Sequence, residues 1–215
     1  LEKAVLEAPI LEPVYLFGGA YPPAALRSKF FLAPGVRVDE TIELGEPGEV
    51  GGVAEGRANA VATPELSDFG VEFISLPGHT LGQVGVLAPG VLFCADAVVG
   101  PEVVEKHGVP LNADIARTLA TFDVLDGFGE REAGGAPVHL AAAMLFVPAH
   151  GRPVADIRPV VAANRRRVTA TIDLILNLLD RPRTAEEVLA AVGQATGVTI
   201  TNLGQYYLTH LTVMA

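Results

Sequence analysis

The stretch Phe73-Ile-Ser-Leu-Pro-Gly-His-Thr-Leu-Gly-Gln-Val-Gly-Val-Leu-Ala-Pro-Gly-Val-Leu-Phe-Cys-Ala-Asp96 constrains the fold more than any other part of the chain. It sets three short apolar runs between Pro-Gly pairs. Phe73 to Leu76 reads as a buried strand, ended by Pro77-Gly78 just where His79 begins. Gln83 to Leu87 reads as a second strand, Pro89-Gly90 as a hairpin turn, and Val91 to Phe93 as a third strand running into Asp96. His79 and Asp96 are therefore expected at the mouths of neighbouring strands. A neutral imidazole and a carboxylate so placed suit zinc, iron or manganese, which take nitrogen and oxygen ligands.

A fourth apolar run, Met144-Leu-Phe-Val147, carries Pro148-Ala-His150 to the same mouth. In order, Leu76-Pro-Gly-His-Thr-Leu-Gly82, Leu92-Phe-Cys-Ala-Asp96 and Phe146-Val-Pro-Ala-His-Gly151 resemble the third, fourth and fifth metal motifs of the metallo-β-lactamase superfamily. The interval from His79 to Asp96 holds one hairpin, and that from Asp96 to His150 holds a helical excursion and a return strand. The resemblance covers residues 70 to 155.

It implies an α/β (α+β) fold, the αββα sandwich, with the strands of 71 to 95 adjacent in a mostly antiparallel sheet and the helices outside. Residues 1–155 form a partial domain of that kind, followed in 156–215 by a long helix and a helical or winged-helix-like appendage. The function implied is a metal-dependent hydrolase that uses a metal-activated hydroxide on an ester, thioester or phosphodiester. His79, Asp96 and His150 are its metal ligands, and Asp96 and His150 its catalytic residues. His79 completes the first site, Asp96 bridges, and His150 completes the second. The family normally holds two ions, zinc or else iron or manganese. Aspartate at 96 is unlike the β-lactam-hydrolysing branch with a cysteine ligand. Ala95 and Ala149 stand where the motif commonly has glycine. The family's His-x-His-x-Asp-His run is absent; the other histidines, His107, His139 and His210, have no such neighbours. The expected donor set is therefore incomplete, its metal site partly or wholly empty, and the chain inactive or weakly active. The alternative is a non-catalytic scaffold or binding protein on the same fold.

A chain of 215 residues, 50% hydrophobic and 19% charged, can bury a sizeable core. A formal charge of −10 disfavours non-specific attraction to nucleic acid. One cysteine excludes an internal disulfide and fits a reducing cytoplasm. No apolar run reaches the roughly 18 to 20 residues of a membrane helix, and the start resembles no signal peptide. The partner expected is a small-molecule substrate, and a homodimer is compatible with this reading. Leu1 to Ala8 reads as a helix without a cap, and Tyr206 to Ala215 as a helix that stops without one, so both ends are expected to be cut from a longer chain.

The rest of the chain adds elements around this frame. Val14 to Phe17 reads as a buried strand and Ala24 to Leu32 as a short helix, with Tyr21 and Phe30 read as packing residues or substrate contacts. Residues 45–68 read as turns and a strand pair that forms an edge or lid. Glu102 to Gly108 reads as a short helix ended by glycine, with His107 a solvated helix-end residue or a substrate contact. Ile115, Leu119, Phe122 and Leu125 mark a helix over 113–125, capped by Asn112 or Asp114, before a loop from Gly127 to Pro137. Cys94 reads as a small buried residue. The longest helix runs from Asp156 to Asp180, with Val161, Val168, Ile172, Ile175 and Leu179 on one face, and its Arg165-Arg-Arg167 suits solvent or acidic neighbours. Thr184 and Glu187 form a capping box before another helix. A last helix is expected over Leu203 to Met214.

Overall fold

The structure, a computed structural model, describes residues 37–39, 60–61, 68–108, 110–129, 145–198 and 212–213. The chain divides into two compact units, one of Leu1–Glu43 with Ile200–Tyr207, the other of Leu44–Thr199 with Leu208–Ala215. Nearly all described residues belong to the second unit. The strand at Val14, the helix from Ala24, the loop beyond Gly129 and most of the last helix lie outside the described residues.

Among the described residues, five strands form one sheet in chain order: β1 (Ala60–Val61), β2 (Glu72–Ser75), β3 (Val84–Ala88), β4 (Val91–Ala95) and β5 (Leu145–Pro148). The first four pair antiparallel, as two Pro-Gly punctuations and short connections require. At the β3–β4 hairpin Pro89 supplies a fixed negative φ and Gly90 takes φ 75, the combination of a type II turn. β5 instead pairs parallel to β4, after a crossover through α1 (Pro101–His107) and α2 (Ile115–Gly129). A second sheet, as a sandwich has, is not among the described residues.

One face of the sheet carries the core. Ile74, Leu76, Leu87, Leu92, Cys94 and Phe146 alternate inward and meet Phe122 and Leu125 of α2 and Val160, Val161 and Val168 of α3 (Arg158–Leu178). Two ion pairs reinforce the α2–α3 contact. Arg165 reaches Asp123 and Asp126, each at 3.0 Å, and lies over the Phe122 ring. The basic run thus has acidic neighbours on the adjacent helix, as its sequence suggested for so acidic a chain.

Helix ends follow local chemistry. Asp114, the last residue before α2, accepts from the Arg117 amide at 2.9 Å, which settles the choice of N-cap. α2 runs through Gly127 and Phe128 rather than ending before them, because Phe128 packs on the core. α3 stops at Leu178, where the Arg183 guanidinium donates to its carbonyl, and Leu179 is left exposed instead of joining the buried face. The Thr184–Glu187 capping box opens α4 (Ala185–Thr196), which ends at Gly197 with φ 72.

Candidate metal centre

Strand direction decides where the three expected donors emerge. β2 and β4 run the same way because each is antiparallel to β3, and β5 is parallel to β4. His79, Asp96 and His150, each just beyond the C-terminal end of one of these strands, therefore leave the sheet at one edge. Their spacing is unequal. β4 and β5 are neighbours, whereas β3 separates β2 from β4, so about 10 Å of sheet lies between the His79 and Asp96 strands.

Asp96 and His150 meet. His150 Nε2 lies 3.5 Å from Asp96 Oδ1, with the imidazole largely exposed and the carboxylate about two-thirds covered. Two donors on a tetrahedral ion at about 2.1 Å stand roughly 3.4 Å apart, so this pair fits one edge of a metal's coordination shell. Backbone bonds fix the two loops on either side of the pair: Ala149 N–H donates to Ala95 O and Gly100 N–H donates to His150 O, both at 2.8 Å. A register shift between Phe93 and Ala95, with Ala95 at φ 49, interrupts the strand's alternation just before Asp96. Such a bulge re-aims the following side chain. Gly151, at φ 121, packs so closely that a Cβ there would meet Gly100 Cα and N at 2.8 Å.

His79 is held apart from that pair. Its Nδ1 lies 2.9 Å from the Leu111 carbonyl, an acceptor only, so Nδ1 carries a proton and, in the neutral ring, Nε2 is the nitrogen with the free lone pair. This is the tautomer a metal-binding histidine needs, oriented in the usual way by a backbone carbonyl. The loop before it is strapped to α2: Gly78 O accepts from Ala113 N–H at 2.7 Å and Asp114 N–H at 3.1 Å, and Thr121 Oγ1 donates to Pro77 O at 2.7 Å. Among the described residues no three His, Cys, Asp or Glu side chains come together as one metal-holding group. The residues fit a metal as a pair plus a prepared but separate histidine, so full coordination needs further donors.

Cys94 is fully buried and its thiol is pushed up to about 12 by that burial, against a smaller opposing effect from the Val147 backbone. It packs as a neutral small residue, with Sγ 3.6 Å from Leu92 O. Asn164 of α3 went unremarked in the sequence. Its buried side chain pairs with both backbone groups of Val99, in the loop after Asp96. The available signal was its position: an asparagine four residues from both Val160 and Val168 sits on the apolar stripe of its helix.

No protein-family model matches the chain, and no curated protein matches it by sequence. Solved structures do resemble it. A metallo-beta-lactamase family protein from Thermus thermophilus superposes with a TM-score of 0.53 at 17% identity, over 99% of this chain and 58% of that one. A beta-lactamase domain protein from Burkholderia ambifaria superposes with a TM-score of 0.44 at 16% identity, over 83% of this chain and 47% of that one. The chain spans 58% of the Thermus protein's length. With its sheet order, its outer helices and this likeness, the chain has the metallo-β-lactamase fold.

Proposed function

We propose that the chain belongs to a metal-dependent hydrolase acting on a small-molecule ester, thioester or phosphodiester in the cytoplasm. The observation that carries this reading is the Asp96–His150 pair at 3.5 Å, at the C-terminal ends of adjacent parallel strands. His79, Asp96 and His150 are the residues that would hold metal, zinc first and iron or manganese next. A bound metal supplies Lewis acidity, activating water and offsetting charge on an oxygen of the substrate. The chain's own groups do the placing. Asp96 offers a carboxylate oxygen toward His150 Nε2, the Ala95–Ala149 and Gly100–His150 bonds hold the two loops together, and the Leu111 carbonyl holds the proton on Nδ1 of His79.

Zinc titration of the metal-stripped chain tests this. Asp96→Ala is expected to weaken binding by at least about ten-fold while leaving the melting temperature of the metal-free protein within a few degrees. Equal affinity in the two proteins refutes the assignment. A second reading, a non-catalytic scaffold or binding protein, is favoured by the lack of a three-donor group among the described residues. The two part on hydrolysis: the zinc-loaded protein in its full native length turns over a thioester or phosphodiester panel under the first reading and not under the second.

A further inference from the structure

We propose that Asn164 is a positioning residue for the Asp96–His150 pair, acting through the backbone of Val99. The proposal rests on the reading of that pair as metal donors. Asn164 is only 3% exposed, in the second turn of α3. Its Nδ2 donates to Val99 O at 2.7 Å and to Val160 O at 2.9 Å, while its Oδ1 accepts from Val99 N–H at 3.2 Å. One side chain thus answers both polar groups of one loop residue, as a neighbouring strand would.

The position of Val99 gives the contact its consequence. It lies three residues after Asp96 and one before Gly100, whose N–H holds the His150 carbonyl at 2.8 Å. The Asp96 loop is therefore pinned at three points: Ala95 to Ala149, Val99 to Asn164, and Gly100 to His150. Gly151 packs against the Gly100 backbone without room for a Cβ, so a shift of Val99 and Gly100 passes to the His150 loop. Few other side chains can make this clamp. Aspartate lacks the donor for Val99 O, leucine lacks both groups, and glutamine is a methylene too long.

Two readouts test the role: zinc affinity, by competition with a chromophoric chelator, and hydrogen exchange of the Gly100 amide in the zinc-free chain. The variants are Asn164→Ala and Asn164→Asp, the second keeping side-chain volume if the first does not fold. Val168→Ala is the control, a cavity at a 3% exposed site one turn further along the same helix. Both Asn164 variants are expected to weaken zinc about ten-fold and to speed Gly100 exchange at least about ten-fold. Val168→Ala, at a comparable loss of melting temperature, leaves both within about twofold. Equal effects from the two sites would reduce Asn164 to a structural role and overturn the proposal. If Asp96→Ala leaves zinc affinity unchanged, the metal reading fails separately, and Gly100 exchange alone decides: unchanged exchange in the Asn164 variants overturns the positioning role.

Discussion

Gly78→Ala is the most damaging single-methyl change this site admits. Gly78 has φ +136, a conformation side chains rarely adopt, and a Cβ there would meet Thr118 Oγ1 at 2.4 Å, Cα at 2.6 Å and N at 2.7 Å. Two of those atoms are backbone in the first turn of α2, so no rotamer change relieves the clash. The backbone strain costs about 1 to 3 kcal/mol and the overpacking about 1 to 3 kcal/mol. Moving the loop away breaks the two bonds Gly78 O accepts from Ala113 and Asp114, just before α2, at about 1 kcal/mol each. Because relief of one cost incurs another, the total is about 4 kcal/mol, a large share of the 5 to 15 kcal/mol typical of a domain. Guanidinium denaturation should show this as a lower midpoint at unchanged slope, and thermal melting as a drop of about 8 to 16 °C. Adding Thr118→Ala should not rescue it. A loss under about 1 kcal/mol, or rescue by Thr118→Ala, would refute the close contact of the His79 loop with the α2 backbone.

Ala95→Gly removes the penalty of an alanine at φ 49, about 1 to 2 kcal/mol, and loses about 0.4 to 1 kcal/mol through the freer unfolded chain. Denaturation should therefore show a change between nil and a gain of about 1.5 kcal/mol, and a loss of about 1 kcal/mol would contradict the left-handed conformation. Cys94, with its thiol near 12, should resist alkylation at pH 8 in the native protein, where only about one molecule in ten thousand carries the thiolate, and react promptly in denaturant. Quick native labelling would contradict its burial. The Asp156 carboxyl is held below its usual range, mainly by the Arg158 side chain at 2.8 and 2.9 Å. A depressed folded pKa contributes stability above the unfolded value and loses it as pH falls through the folded one, so Asp156→Asn should narrow its small deficit against the parent protein in acid. A deficit constant from neutral pH down to strong acid would argue against that pairing.

The hairpins were legible because proline and glycine act locally. Pro77-Gly78 and Pro89-Gly90 end and turn strands whatever else the chain does, and β2, β3 and β4 fall within a residue or two of the apolar runs that announced them. The capping box at Thr184 was legible for the same reason. The common sheet edge for His79, Asp96 and His150 followed from strand order, but the distance between donors did not. That distance depends on which strands are adjacent, and β3 intervenes for His79 alone. The Leu111 carbonyl and the Asn164 amide escaped notice because each acts on a residue far along the chain, and no local pattern encodes a partner at that range. Gly127 misled in the opposite sense: glycine usually breaks a helix, yet packing of Phe128 carries α2 past it.

The parallel pairing of β4 with β5 also shapes how this protein folds. Antiparallel β2, β3 and β4 can zip from tight turns, but β5 joins only after the α1–α2 excursion closes, a long loop whose entropy must be lost before any strand contact repays it. Asp96 and His150 sit on opposite sides of that closure. A cation held between them binds the closed chain and not the open one. At a free zinc concentration one hundred times Kd it would add about 2.7 kcal/mol to the docking of β5. Under the metal reading, metal supply would then set how strongly the crossover is held shut, a property that substrate turnover alone does not reveal.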